Sequence, residues 1–197
     1  MKFFLYNFIL ILLLPLIISR LIIRSLKDRD YIKNISNRFG IYENETESNP
    51  VWFHAVSLGE VISSETLIKK ILIDNKVVLS VSTPTGYRQA KKIFGNSLQI
   101  VYAPWDIYFF VNNFLKKFNP KALIIFETEI WPSMIKASSA KKIPIFLTNA
   151  RLSQESNSKY SNIKFFLKEV VELFTLVLAQ TNKPVSYTHL TLPTKVR

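Results

Sequence analysis

The chain has 197 residues, of which 48% are hydrophobic and 20% charged, with no cysteine and a formal net charge of +12. These values exclude a disordered polymer, a polytopic membrane protein, disulfides, thiolate metal sites and cysteine nucleophiles, and they fit one ordinary domain with a small appendage. So basic a surface draws nucleic acid, anionic lipid or phosphorylated substrates alike, and charge by itself does not choose among them.

Residues 3–19 are uncharged and strongly apolar, and Leu21, Ile22 and Ile23 extend the run around Arg20. A helix needs about 20 residues at about 1.5 Å each to cross roughly 30 Å of hydrocarbon. The run suffices if Arg20 and Arg24 snorkel to the headgroups. Only Lys2 precedes it, whereas Arg20, Arg24, Lys27, Arg29, Lys33 and Arg38 follow, so the positive-inside rule predicts a cytoplasmic body. A cleaved signal peptide carries its charge before the apolar run and an A-x-A-like site after it, and this sequence does neither. Residues 1–26 therefore read as a membrane anchor, either spanning or inserted shallowly with a kink at Pro15. Arg20, Arg24 and Lys27 recur at i, i+4 and i+7 on one face, where they contact lipid phosphates or simply fix orientation. Residues 27–50 read as a basic juxtamembrane segment ending in a polar linker.

Beyond the linker, strand and helix patterns alternate. Strands are predicted at 51–56, 77–81, 100–102, 122–126, 143–148 and 176–179, and helices at 59–73, from the turn at 82–86 through Lys92, at 107–118, 135–141 and 161–174. Such alternation implies an α/β fold, a Rossmann-like parallel sheet with helices on both faces, whose ligands bind at the carboxyl ends of the strands.

Polar residues gather at those ends. After the first strand, Ser57 can cap a helix, Gly59 lets backbone approach a ligand, and Glu60 stands in the first turn. Glu60 is either a site carboxylate or a first-turn acid complementing the helix dipole. The turn at 82–86, with Thr83 and Thr85, suits an anion bound through free N–H groups, or is mere punctuation. Glu127 and Glu129 follow the fourth strand beside Trp131, and Arg151 follows the fifth; the acids are site residues, helix caps or ion-pair partners of Arg151. His54 reads more naturally as structural than catalytic. No G-x-G-x-x-G dinucleotide fingerprint occurs, and no metal site is indicated.

Taken in order, the segments 26–31, Arg38-Phe39-Gly40, HAVSLGE (His54 to Glu60), TPTG (Thr83 to Gly86), 101–106, ETEIWP (Glu127 to Pro132) and NARLS (Asn149 to Ser153) resemble the N-terminal half of the lipid A 3-deoxy-D-manno-octulosonic acid (Kdo) transferases. The resemblance runs from the anchor to Gln180. Asn37 stands where that family commonly has glutamate, with a local ion pair at stake, and Trp105 where it commonly has tyrosine. The resemblance implies the N-terminal domain of a two-domain GT-B glycosyltransferase at the bacterial inner membrane. It implies Glu60 as general base, with Ser57, Gly59, Thr83, Thr85 and Arg151 at the acceptor, a lipid A precursor, and Glu127 and Glu129 orienting acceptor hydroxyls or the Kdo unit. The donor CMP-Kdo is expected mainly in a C-terminal domain outside this chain, without a cofactor or catalytic metal, and the fragment is expected to be inactive alone. Arg20, Arg24, Lys27, Arg88, Lys91 and Lys92 are candidates for attracting the anionic acceptor and anionic inner-membrane lipids.

Residues 184–197 read like one translated frame of a sequencing adapter, so the natural gene is expected to continue beyond Lys183. A membrane-tethered basic nucleic-acid binder and a non-catalytic scaffold are the alternatives, although no nucleic-acid-binding motif appears.

Overall fold

A computed structural model describes residues 2–43, 49–127, 129–150 and 169–179. Its short apolar runs form six strands: β1 (Val51–His54), β2 (Val77–Val81), β3 (Gln99–Tyr102), β4 (Ala122–Phe126), β5 (Ile145–Ala150) and β6 (Leu176–Ala179). They pair in the order β3-β2-β1-β4-β5-β6, and every pairing is parallel. The predicted α/β class is the observed one. Strands buried on both faces are nearly continuous in apolar residues, as β1 and β2 are here.

Alternation of side chains splits the interior into two layers. Val51, Phe53, Leu79 and Phe126 face α2 (Leu58–Ile71) and α3 (Pro84–Phe94). Trp52, Val78, Leu123 and Ile125 face α4 (Tyr108–Phe118) and α5 (Pro132–Ala140), where Trp52 stacks on Phe114 at 4.0 Å.

Local chemistry moved several predicted boundaries. β1 ends at His54, and α2 begins at Leu58 because Ser57 accepts from the Glu60 N–H. α5 begins at Pro132 and not at Ile135, since proline at the first turn is preset for a helix. The Asp106 carboxylate also accepts from the next two N–H groups, Ser133 at 3.0 Å and Met134 at 2.8 Å. β5 starts after Pro144, which has no N–H to give a ladder, and runs on to Ala150 with an irregularity between Leu147 and Ala150. Of the helix predicted at 161–174, only 169–174 lies among the described residues, and 169–171 is helical.

Residues 29–42 pack against the domain. Short 3-10 helices cover Arg29–Tyr31 and Ile35–Phe39, and Gly40 follows at φ +75°. A Cβ on Gly40 would lie 2.2 Å from the Phe110 carbonyl oxygen, so this turn admits glycine alone. Tyr42 sits in the core beside Phe114 and Phe118 and donates to the Tyr102 carbonyl at 3.0 Å.

The apolar run is one helix, α1 (Lys2–Ser25), with Pro15 inside it. Tyr6 donates to Asp106 at 2.8 Å, and the Asn7 side-chain oxygen accepts from the Tyr108 N–H at 2.7 Å and the Ser133 hydroxyl at 3.3 Å. At the other end Leu21 and Ser25 are buried and the Arg24 guanidinium lies 5.7 Å from the Tyr31 ring centre.

Candidate active site at the sheet crossover

In this strand order the winding reverses between β1 and β4, and ligands of such sheets lie beyond the carboxyl ends of those two strands. Glu60 stands in the first turn of α2, just beyond β1, and the loop after β4 carries Glu127, Glu129 and Trp131.

Glu60 is only 7% exposed. One of its oxygens accepts from the Val56 N–H at 2.7 Å and the other from the Ser57 hydroxyl at 2.8 Å. The carboxyl therefore folds back over its own helix start. Burial pushes its pKa up, the Val56 and Ser57 bonds oppose this, and the charges of Glu129 and Glu127 add to the rise. The net direction is upward. The helix dipole acting alone lowers a first-turn carboxyl; desolvation of this nearly buried carboxylate outweighs the dipole.

Glu127 holds φ +62° and Asn149, inside β5, holds φ +56°, a region that few non-glycine residues adopt. Their side chains meet, the Asn149 amide donating to Glu127 at 3.4 Å. Such backbone outliers collect at functional sites. Glu129 accepts from the Trp131 indole at 2.9 Å, and the Trp131 ring stands edge-to-face on His54 at 5.3 Å. His54 is fully buried with Nδ1 2.8 Å from the Ser80 hydroxyl, which also accepts from Trp52 at 2.7 Å. Burial lowers its pKa to about 4, so His54 is neutral near pH 7 and shapes the site without exchanging protons there.

Gly86 lets α3 rest against the start of α2. A Cβ there would lie 3.3 Å from the Ser57 carbonyl carbon and 3.4 Å from the Leu58 nitrogen, so two helix N-termini stand side by side. Thr83 caps α3 by accepting from the Gly86 N–H at 3.1 Å, and Thr85 donates to Thr83 at 3.3 Å. Around Gly59 a Cβ would meet nothing nearer than 4.0 Å, so the fold itself does not require glycine there.

Arg38, counted in the sequence among the basic residues after the apolar run, is 4% exposed. It donates to the Ser82 carbonyl at 3.2 Å and lies 4.5 Å over the Tyr102 ring centre. Its Nε and the Ser82 hydroxyl have no hydrogen-bond partner among the described residues. Asn37 does what a backbone clasp requires, accepting from the Tyr102 N–H at 3.3 Å and donating to the Ile41 carbonyl at 3.2 Å.

The other basic candidates separate. Arg88 pairs with Asp28 at 3.0 Å and with Asp30, so it is committed to the segment after α1. Lys91 lines a cavity of about 240 Å³ with Lys33, Tyr87 and Tyr102. Arg20, Arg24 and Lys27 are exposed, with Lys27 in the turn just past α1. Arg151 lies outside the described residues. A second cavity, of about 310 Å³, opens between α1 and the site loops, lined by Tyr6, Leu10, Ile17, Trp105, Ile130 and Trp131. Asp106 and the buried role of Arg38 escape sequence reasoning, although each falls in a segment that carries the family resemblance, whereas Trp131 stands beside the two acids as the sequence places it.

Comparison with known proteins decides the family. The family model described as 3-deoxy-D-manno-octulosonic-acid transferase (kdotransferase) matches residues 33–192. The chain belongs to this family. The Kdo transferase of Haemophilus influenzae is 33% identical over 184 residues, covering 91% of this chain and 43% of that protein. That of Bordetella pertussis is 32% identical over 140 residues, 68% of this chain and 33% of that protein. A bifunctional glycosyltransferase/methyltransferase of Fusobacterium nucleatum is 32% identical over 153 residues, 76% of this chain and 23% of that protein. The chain thus spans less than half the length of these relatives. Its Rossmann-like sheet led by an apolar helix is of the N-terminal GT-B type, and at family level it resembles the Kdo-transferase acceptor domain.

Proposed function

We propose that the chain is the acceptor-binding half of an enzyme that transfers Kdo from CMP-Kdo to a lipid A precursor at the cytoplasmic face of the inner membrane. The observation that carries this reading is Glu60: a nearly buried carboxyl with a raised pKa, at the sheet crossover, close enough to two further acids to feel their charge. Glu60 takes the proton of an acceptor sugar hydroxyl as that oxygen bonds to the anomeric carbon of Kdo. The bond from that carbon to the CMP phosphate breaks, CMP leaves with the electron pair, and the configuration inverts. A raised pKa makes Glu60 a stronger base than a solvated carboxylate, and such bases contribute about 10² to 10⁴ in rate.

The rest of the site suits the same acceptor. Glu127 and Glu129 accept hydrogen bonds from sugar hydroxyls, Trp131 offers the sugar an apolar face, and Gly59 leaves room for it. The paired N-termini of α2 and α3 favour an anionic group nearby. Phosphates of a lipid acceptor are attracted by Lys91 and by Arg20, Arg24 and Lys27, and the apolar cavity between α1 and Trp131 accommodates acyl chain. Arg151 belongs to the proposed acceptor set by its place in the family motif.

The test is Glu60→Gln in the full-length enzyme. Transfer is expected to fall by about 10² to 10⁴ while acceptor binding persists. Turnover near the parent rate removes Glu60 from the chemistry.

A further inference from the structure

α1 is long and apolar enough to cross a membrane by length and composition. Its contacts describe a different arrangement. At about 1.5 Å per residue the helix reaches about 36 Å, enough to cross the hydrocarbon core only if its two ends stand on opposite sides. Both ends are held by the same domain. Near the start, Tyr6 and Asn7 bond to Asp106 in the loop before α4, to Tyr108 at the start of α4 and to Ser133 in the first turn of α5. Near the end, Leu21 and Ser25 are buried and Arg24 lies over Tyr31.

The two faces of α1 agree with this. Phe3, Tyr6, Leu10, Leu14, Ile17 and Leu21 are partly or fully covered and share one side. The opposite side exposes large apolar groups along the whole length, from Phe4 at 79% and Leu12 at 70% to Leu16 at 66% and Ile23 at 65%. Lys2, Arg20 and Arg24, all exposed, fall along one flank between those sides at helical spacing, with basic charge at both ends.

We propose that α1 does not cross the bilayer but lies in the plane of one leaflet, its exposed apolar face among acyl chains, its basic flank at anionic headgroups, and its other face docked on the domain. Interfacial helices bind in this way, through a buried apolar face joined to charge attraction. The occupant of the exposed face is phospholipid, because its cationic flank complements an anionic surface.

The absence of native cysteine makes the test direct. Single-cysteine variants Leu5→Cys, Leu12→Cys, Leu16→Cys and Ile23→Cys, all at exposed positions on one side, carry nitroxide labels, and the chain is mixed with vesicles of phosphatidylethanolamine and phosphatidylglycerol. Accessibility to oxygen and to a water-soluble relaxant gives the depth of each label. All four at one shallow depth is the expected result. A profile deepest at Leu12 with Leu5 and Ile23 near opposite surfaces overturns the proposal in favour of crossing. Labels that stay in water with vesicles present, or that are shielded without vesicles as protein concentration rises, overturn it in favour of no lipid contact or of a second copy.

Discussion

Ser57 and Glu60 hold each other at the start of α2: the Ser57 hydroxyl donates to the Glu60 carboxylate at 2.8 Å while accepting from the Glu60 N–H at 3.4 Å. One short side chain therefore fixes the helix start and tunes the carboxyl. Ser57→Ala removes both bonds. A loss of about 1 kcal/mol is expected for the cap, or about 2 to 4 °C in Tm by thermal unfolding. The bond from the Ser57 hydroxyl to the carboxylate lowers the Glu60 pKa. Without it the base stays protonated to higher pH, so the acidic limb of kcat/KM in the full-length enzyme moves up.

Replacing the neighbouring acids acts with the opposite sign. Glu129 and Glu127 both raise the Glu60 pKa, Glu129 more than Glu127. Glu129→Gln is expected to move the acidic limb of kcat/KM down in pH, and Glu127→Gln to move it less. An unchanged limb in both variants would show that the limb does not report Glu60.

Two glycines separate fold from function. Gly40→Ala places a methyl group against the Phe110 carbonyl at φ +75°, and the strained backbone alone is worth about 1 to 3 kcal/mol. A large fall in Tm or failure to fold is expected. Gly59→Ala meets no atom nearer than 4.0 Å, so its stability should stay within about 0.5 kcal/mol of the parent while the acceptor KM rises. A normal acceptor KM in Gly59→Ala would show that no ligand comes close at this position.

Asp106 ties stability to pH. Burial raises its carboxyl from an ordinary 3.8 to about 7, against the pull of three hydrogen bonds. Between those values the folded chain keeps a proton that the unfolded chain has released, so the contribution of this group to stability falls as pH rises and levels off above about 7. Asp106→Asn should lose stability at every pH through weaker capping of α5, and should flatten this slope. Denaturant midpoints measured across that interval for both proteins check it.

The sheet was legible because its strands are apolar runs between turn residues; 77–81, 122–126 and 176–179 coincide with β2, β4 and β6. Boundaries went astray where a distant side chain decided them. Asp106 starts α5 from more than twenty residues upstream, and no local pattern announces that. The site acids were legible as a cluster at one sheet edge, but the sign of the Glu60 pKa was not. It depends on how completely the fold buries the side chain, which outweighs the bonds from Val56 and Ser57 and which no local pattern specifies. Arg38 enters the sequence reading only as one of the charges after the apolar run and as part of Arg38-Phe39-Gly40; its seat over Tyr102 and against the Ser82 carbonyl is a tertiary contact that no local pattern announces.

The seating of residues 29–42 sets where a shortened protein can begin. Removing everything before β1 would strip Tyr42 from Phe114 and Phe118, leave the Ser82 carbonyl without its guanidinium and uncover the α4 backbone beside Gly40. Removing α1 alone would bare Trp131 and Ile130 to water and free the Asp106 carboxylate from Tyr6. A detergent-free preparation of this domain thus calls for repainting the outward side of α1 with polar residues, keeping the helix in place.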